Sequence, residues 1–310
     1  MLEAFKNSGF LYLKNHGITK EEVATVFGQS AIFFKRPQNQ KDQLAWTTAR
    51  SNRGYVASGR EKVSDSNDPD EIAKQRGTNP DLKESMEIGR EGVDGMPNQW
   101  PDRFADDNGI TFTKTMKQFF LTCKDLHMNV MRAIAVGMGL DEYFFDSFTD
   151  GGDNNLRLLH YPAVKKSVFK SNPGQVRAGE HSDYGSITLL FQDNAGGLQV
   201  KSPKGTWVPA TPIADTIVVN AGDLLSRWSN DLIKSTKHRV IQPPPKAGEM
   251  DDADDPNAMF PARYSVAYFC NPNSDKLIEA LPGTFESEAS KKYAAVHSGD
   301  YLEMRLAATY

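Results

Sequence analysis

Between Phe112 and Ile134 the apolar residues Phe112, Met116, Phe119, Cys123, Leu126, Val130 and Ile134 recur every three or four positions. That spacing keeps them on one helical face, so it predicts a long amphipathic helix that Gly139 can end. Upstream the pattern is mixed. Phe10-Leu11-Tyr12-Leu13 reads as a short strand closed by Asn15-His16-Gly17, and Thr19 followed by Glu22 is a capping-box signature for a helix running to about Ser30. From Arg53 to Trp100 the chain is rich in Gly, Pro and charge, with only short ordered pieces. A long irregular stretch in a compact domain is often a loop that covers a site. Its densest pieces are Arg53-Gly54-Tyr55 and Asp81-Leu82-Lys83-Glu84.

After Gly151 the period changes. Short runs of β-branched and aromatic residues alternate with Gly, Pro and Asn: Leu156 to Tyr161, Ile187 to Phe191, Leu198 to Lys201, Trp207-Val208, Ile217 to Asn220, His238 to Ile241, and Tyr264 to Phe269. Closely spaced strands with turn signals suggest a barrel or jelly roll. Glu286 to Tyr310 returns to helical spacing. The expected fold class is α+β, a jelly roll with supporting N-terminal and C-terminal helices. Residues 1–150 form a helical and mixed region with the cover loop, 151–285 the jelly-roll core, and 286–310 a helical segment packed on it, all in one compact unit. The acidic run Glu249 to Asp255 lacks the glycine-spaced pattern of a calcium loop and reads as a solvated insertion.

Composition narrows the function classes. A net charge of -4 over 310 residues gives no reason to expect nucleic-acid or membrane-surface binding. No apolar run approaches the roughly 18–20 residues that span a bilayer, and the N-terminus has no signal-peptide pattern. Cys123 and Cys270 cannot build a disulfide framework and read as buried apolar groups. A cytoplasmic protein acting on a small molecule is expected, with its oligomeric state open.

Three residues carry the chemistry. His181 and Asp183 stand at i and i+2, a spacing that in a strand puts both on one face, and His238 can join them from another strand. Two imidazoles and one carboxylate on a β-rich scaffold are the ligand set of a mononuclear non-haem iron(II) site with open positions. A second clue comes from alternation, which sets Arg263, Ser265, Ala267 and Phe269 on one face. An arginine inside a small barrel is expensive unless it meets an anion, and its fork matches a carboxylate. Arg157, Leu159 and Tyr161 likewise share a face: Tyr161 can hydrogen-bond the same anion, and Arg157 can reach a polar substrate. His16, His127, His160 and His297 read as structural.

The stretches Arg-Leu-Leu-His-Tyr-Pro (157–162), His-Ser-Asp-Tyr-Gly-Ser-Ile-Thr-Leu-Leu (181–190), Gly-Gly-Leu-Gln-Val (196–200), Val-Asn-Ala-Gly-Asp (219–223), His-Arg-Val (238–240) and Arg-Tyr-Ser (263–265) resemble the 2-oxoglutarate/iron(II) dioxygenases of the isopenicillin N synthase-like class. Gly-Phe-Leu-Tyr-Leu-Lys-Asn-His-Gly-Ile (9–18) looks like that class's N-terminal module, so the resemblance covers nearly the whole chain. It implies a double-stranded β-helix with iron(II) held by His181, Asp183 and His238. It also implies 2-oxoglutarate anchored at its far carboxylate by Arg263 and Ser265 with help from Tyr161, and dioxygen as second co-substrate. Within the class, Arg-Ala-Gly-Glu-His (177–181), Arg-Trp-Ser-Asn-Asp (227–231) and Ala-Tyr-Phe-Cys-Asn-Pro-Asn (267–273) are similar to the fungal thymine dioxygenases. That closer resemblance implies a pyrimidine stacked on Phe269 with contacts from Arg157 and Tyr184, although alternation turns Tyr184 away from the face of Asp183.

The implied reaction is hydroxylation of an unactivated C–H bond through a ferryl species, on the methyl group of thymine or a related pyrimidine. The alternatives are the same chemistry on a fungal secondary metabolite, an oxidase of this fold that does not consume 2-oxoglutarate, and a non-catalytic small-molecule binding protein. Two departures from the class stand out. Leu159 replaces an Asn common among relatives, and the chain begins almost at the helix before Gly9, where relatives usually carry an extra strand and helix. A truncated start or an open sheet edge is therefore expected.

Overall fold

The computed structural model describes residues 1–60, 81–172, 174–242 and 257–309. The acidic run 249–255 and part of the expected cover loop, 61–80, lie outside them. Helix Lys20–Phe34 starts where the capping box predicts. Thr19 Oγ1 accepts from the Glu22 N–H at 3.1 Å, and the Glu22 carboxylate accepts from the Thr19 N–H at 2.8 Å. It runs one turn beyond Ser30 because Phe33 and Phe34 are buried, Phe33 stacking on Phe112 at 4.9 Å. Phe112 belongs to helix Asp107–Gly137, whose N-cap Asp106 accepts from the Gly109 N–H at 2.7 Å. The whole predicted stripe from Phe112 to Ile134 is buried, each large side chain contributing roughly 1.5–3 kcal/mol. Gly139 follows at φ +75°, the left-handed conformation of a helix terminus.

The strands are β1 (Phe10–Lys14), β2 (Gly54–Val56), β3 (Glu84–Gly89), β4 (Asn155–Tyr161), β5 (Val164–Lys165), β6 (Ala178–His181), β7 (Ile187–Gln192), β8 (Leu198–Lys201), β9 (Trp207–Pro209), β10 (Thr216–Ala221), β11 (His238–Val240), β12 (Met259–Phe260), β13 (Arg263–Cys270), β14 (Leu277–Ile278) and β15 (Val296–His297). A seven-stranded antiparallel sheet runs β1-β10-β7-β13-β4-β3-β2, and a four-stranded one runs β6-β11-β8-β9. β1 stands at one end of the large sheet and β2 at the other. No described helix is long and apolar enough to cross a membrane.

Alternation divides the large sheet. Leu156, Leu158, Val266, Tyr268, Ile187, Leu189 and Val219 join the core shared with the helices. From the other face, Leu159, Tyr161 and Ala267 meet Ala178, Leu198 and Val240 of the small sheet in a second, smaller core. The register aligns this inner face in rows. Asn155, Phe269, Thr188 and Asn220 are successive cross-strand neighbours, as are Glu87, Arg157, Ala267, Leu190 and Val218. Polar groups thus enter the space between the sheets at defined heights.

Two expectations need correction. The stretch from Arg53 to Trp100 is not simply a cover: β3 lies inside the large sheet with all six residues buried. Its acids disguise it. Glu84 meets Lys41 and His160, each at 2.7 Å, and the Tyr55 hydroxyl, while Glu87 meets Arg157, so charge that reads as exposed is neutralised by distant partners. At the C-terminus only Ser298–Thr309 is helical. The preceding residues form a short 3-10 turn and then β15, which pairs with β14.

Candidate active site

His181 is the last residue of β6, and Asp183 follows in the turn toward β7. Their convergence therefore does not come from strand alternation. The turn is pinned instead by helix Asp223–Trp228, whose first N–H donates to the Asp183 carbonyl at 2.8 Å. His238 on β11 is the direct cross-strand partner of His181, with ring centroids 4.2 Å apart. One ligand atom from each of the three residues lies within 4.8 Å of the others. Asp183 Oδ1 is 3.6 Å from His238 Nε2 and 4.0 Å from His181 Nε2.

The surrounding bonds decide which atoms face inward. His181 Nδ1 stands 2.8 Å from the Gly179 carbonyl, and His238 Nδ1 stands 3.3 Å from that of Thr236. A carbonyl can only accept, so each Nδ1 carries the proton and each Nε2 offers its lone pair. Asp183 Oδ2 accepts from Asn220 at 2.7 Å and Thr188 at 2.5 Å, which leaves Oδ1 for the centre. Burial, followed by the neighbouring His238, pulls the His181 pKa down, so its ring is neutral. Burial pushes Asp183 up, but His238, His181 and the bonds from Asn220 and Thr188 outweigh it and hold the group below the ordinary carboxylate range. Two imidazole nitrogens and one carboxylate oxygen, each oriented from behind, fit a divalent iron with positions left over for other ligands.

Arg263 is almost fully buried, at 1% exposure. Its Nε donates to the Gly196 carbonyl at 2.9 Å and Nη1 to Ser265 Oγ at 3.1 Å, while Tyr161 lies under the guanidinium at 4.9 Å. No acidic side chain pairs with it among the described residues. His160 points away as expected and bonds Glu84.

Arg157, Tyr184 and Phe269 line one cavity together with His181 and Asp183. Arg157 Nε sits 2.8 Å from one Glu87 oxygen and 2.9 Å from the other, which holds the guanidinium 5.1 Å from the Phe269 ring centre. Tyr184 reaches this cavity because the turn after β6 breaks strand parity. Its hydroxyl is 2.7 Å from Thr309 Oγ1, and Arg305 packs on its ring at 4.2 Å. Leu302, Leu306 and Thr309 close that wall from helix Ser298–Thr309.

Several residues of this region escape sequence reasoning. Asn155 lines the cavity with a buried Oδ1 that has no partner among the described residues, while its Nδ2 donates to the Asn52 carbonyl at 3.0 Å. Its place on the Arg157 face of β4 is the signal that could have found it. Asp81 accepts from the Gly179 N–H at 3.1 Å and lies 3.5 Å from Lys83, whose charge reaches His181. The dense Asp81 to Glu84 cluster is visible in the sequence; its position beside β6 is not.

Comparison with known proteins agrees with this geometry. Residues 152–272 match the model of the 2OG-Fe(II) oxygenase superfamily, and residues 1–103 match that of the N-terminal region of non-haem dioxygenases in morphine synthesis. The solved structure of full-length Neurospora crassa thymine 7-hydroxylase in complex with alpha-KG and thymine is similar with a TM-score of 0.89. It is 58% identical and covers 100% of this chain and 90% of its own. The 2-oxoglutarate-Fe(II) type oxidoreductase ppzD of Metarhizium rileyi is 36% identical, covering 100% of this chain and 85% of its own length. Proline hydroxylase buaE of Petromyces alliaceus is 33% identical over 99% of this chain and 91% of its own length.

Proposed function

We propose, from the premise that this chain belongs to the 2OG-Fe(II) oxygenase superfamily, that it hydroxylates the methyl group of thymine or of a closely related pyrimidine. The chain is an iron(II)/2-oxoglutarate-dependent dioxygenase with dioxygen as its second co-substrate. When bound, these groups supply an oxidative decarboxylation to succinate and carbon dioxide that leaves one oxygen atom on the substrate carbon. The strands of 151–285 are read as the double-stranded β-helix of this class, with 1–150, which adds β1, β2 and β3 to the large sheet, and 286–310 as its supports.

In this reading His181, Asp183 and His238 hold the iron. Arg263 and Ser265 take the far carboxylate of 2-oxoglutarate, with Tyr161 packed against the guanidinium. Phe269 offers a face for a flat ring, Arg157 donates to a ring carbonyl, and Tyr184 forms part of the opposite wall. The observation that carries the substrate is the fixing of Arg157 over Phe269 in the cavity of the metal triad, next to the unpartnered Asn155 Oδ1. A planar molecule with both carbonyl acceptors and N–H donors satisfies that set.

The 33% identical proline hydroxylase supports a second reading, the same chemistry on a small molecule other than a pyrimidine, such as a fungal secondary metabolite. Succinate release measured with thymine, uracil, 5-hydroxymethyluracil, proline and a metabolite panel separates the two. Stimulation by thymine with formation of 5-hydroxymethyluracil is expected. Stimulation only by a non-pyrimidine overturns the first reading in favour of the second.

A further inference from the structure

Arg177 immediately precedes β6, and its backbone N–H donates to the Val240 carbonyl of β11 at 2.9 Å. It is fully buried, at 0% exposure. Its Nη2 donates to the Pro261 carbonyl at 2.9 Å, but Nε and Nη1, both shut off from solvent, have no acceptor among the described residues. The charged side chains that act on Arg177 are Arg263, which opposes its charge, and Asp193, which favours it. Asp193 is committed elsewhere: Oδ1 accepts from the Ala195 N–H at 2.9 Å and Oδ2 from the Tyr264 N–H at 2.6 Å. Burial and the neighbouring Arg263 bring the Arg177 pKa down to about 10, which still leaves it charged at neutral pH.

Pro261, whose carbonyl Arg177 holds, stands two residues before Arg263, so two guanidinium groups are buried on either side of that short segment, and among the described residues no acidic side chain is hydrogen-bonded to either. Such a pair is unfavourable unless an anion enters, and the free donors of Arg177 are what a carboxylate would fill. We propose that Arg177 is a second co-substrate-binding arginine, which together with Arg263 cradles the far carboxylate of 2-oxoglutarate. This rests on the reading of Arg263 as an anchor. It adds a donor from the residue that leads into the strand carrying the first metal ligand.

The test is an anaerobic titration of the iron(II)-loaded protein, following the visible charge-transfer band. The two ligands are 2-oxoglutarate and 2-oxopentanoate, which keeps the chelating 2-oxo acid and lacks the far carboxylate. A charge-assisted hydrogen bond predicts that Arg177→Gln weakens 2-oxoglutarate about 10–100-fold and leaves 2-oxopentanoate within about twofold. Equal weakening of both acids, or of neither, overturns the proposal and leaves Arg177 as a prop for the Pro261 carbonyl. Arg263→Gln tests the underlying reading separately: if it spares 2-oxoglutarate, the anchor itself is misassigned. Arg177→Lys keeps the charge but not the fork, and decides the matter if the Gln variant does not fold. A loss of about fivefold, confined to 2-oxoglutarate, is expected for it, and an unchanged affinity overturns the proposal.

Discussion

Asn220 donates a 2.7 Å hydrogen bond to Oδ2 of Asp183 and thereby determines which oxygen of that carboxylate faces the two imidazoles. The cross-strand row places Thr188 beside Asn220, so one sheet fixes the orientation of a ligand carried on a turn. Outer bonds of this kind set metal affinity as well as geometry. Asn220→Leu is expected to weaken iron(II) binding about 10–100-fold. Anaerobic calorimetric titration measures it, with circular dichroism to confirm folding; unchanged affinity would show that Thr188 alone suffices.

Glu87 does for Arg157 what Asn220 does for Asp183. Glu87 is fully buried at 0% exposure and also accepts from Ser85 Oγ at 2.7 Å. Glu87→Gln removes the negative charge held against Arg157 Nε, at a cost on the order of 3 kcal/mol in stability. With thymine as the proposed substrate, its KM should rise about tenfold while 2-oxoglutarate affinity stays the same. A parallel loss of both affinities would mean that the pair supports the whole sheet rather than the substrate wall.

His127 predicts how stability responds to acid. It is buried in helix Asp107–Gly137, with Nε2 3.3 Å from Ser186 Oγ, and burial followed by the charge of Lys124 pulls its pKa down to about 3. The unfolded chain binds a proton near pH 6.5 and the folded protein does not until about pH 3. This contribution is therefore intact above the unfolded value and lost as pH falls below it, with a slope approaching about 1.4 kcal/mol per pH unit. His127→Gln should remove that slope. Urea unfolding of both proteins between pH 7.5 and 5 checks it, and identical pH profiles would contradict the assignment.

Asp106 should act at lower pH. It caps the long helix and accepts from Arg36 at 2.8 and 2.6 Å, and those bonds, the Arg36 contact first, bring its pKa down to about 2. Asp106→Ala should cost about 1–2 kcal/mol at neutral pH, mostly through the cap, since solvent screens the ion pair. A depressed carboxylate stabilises the fold above its unfolded pKa of about 3.9 and loses that effect as pH falls to about 2. The gap between wild type and variant should therefore narrow over that window in denaturant titrations. A gap that stays constant with pH would assign the loss to helix propensity alone.

Much of this protein is legible in its residues because much of it is governed by local periodicity. The run Leu198 to Lys201 coincides with β8, and the parity of Arg263, Ser265, Ala267 and Phe269 places all four on the inner face of β13. Parity fails where the strand stops. Alternation puts Tyr184 on the wrong side because β6 ends at His181 and a turn carries the next residues.

The residue types of the His181, Asp183 and His238 set, the Arg263-Ser265 pair and the amphipathic stripe of the long helix were determined by the sequence itself, since ligand type and residue period are properties of single positions and their near neighbours; the convergence of the three ligands was not. Only the tertiary structure decided that β3 is a buried strand, that Glu87 holds Arg157 over Phe269, that the C-terminal helix walls the cavity, and that Arg177 is buried against the Pro261 carbonyl. Each of those depends on whether a charged or polar group finds a partner tens of residues away. Burial of charge is settled by that pairing, and no local pattern records it.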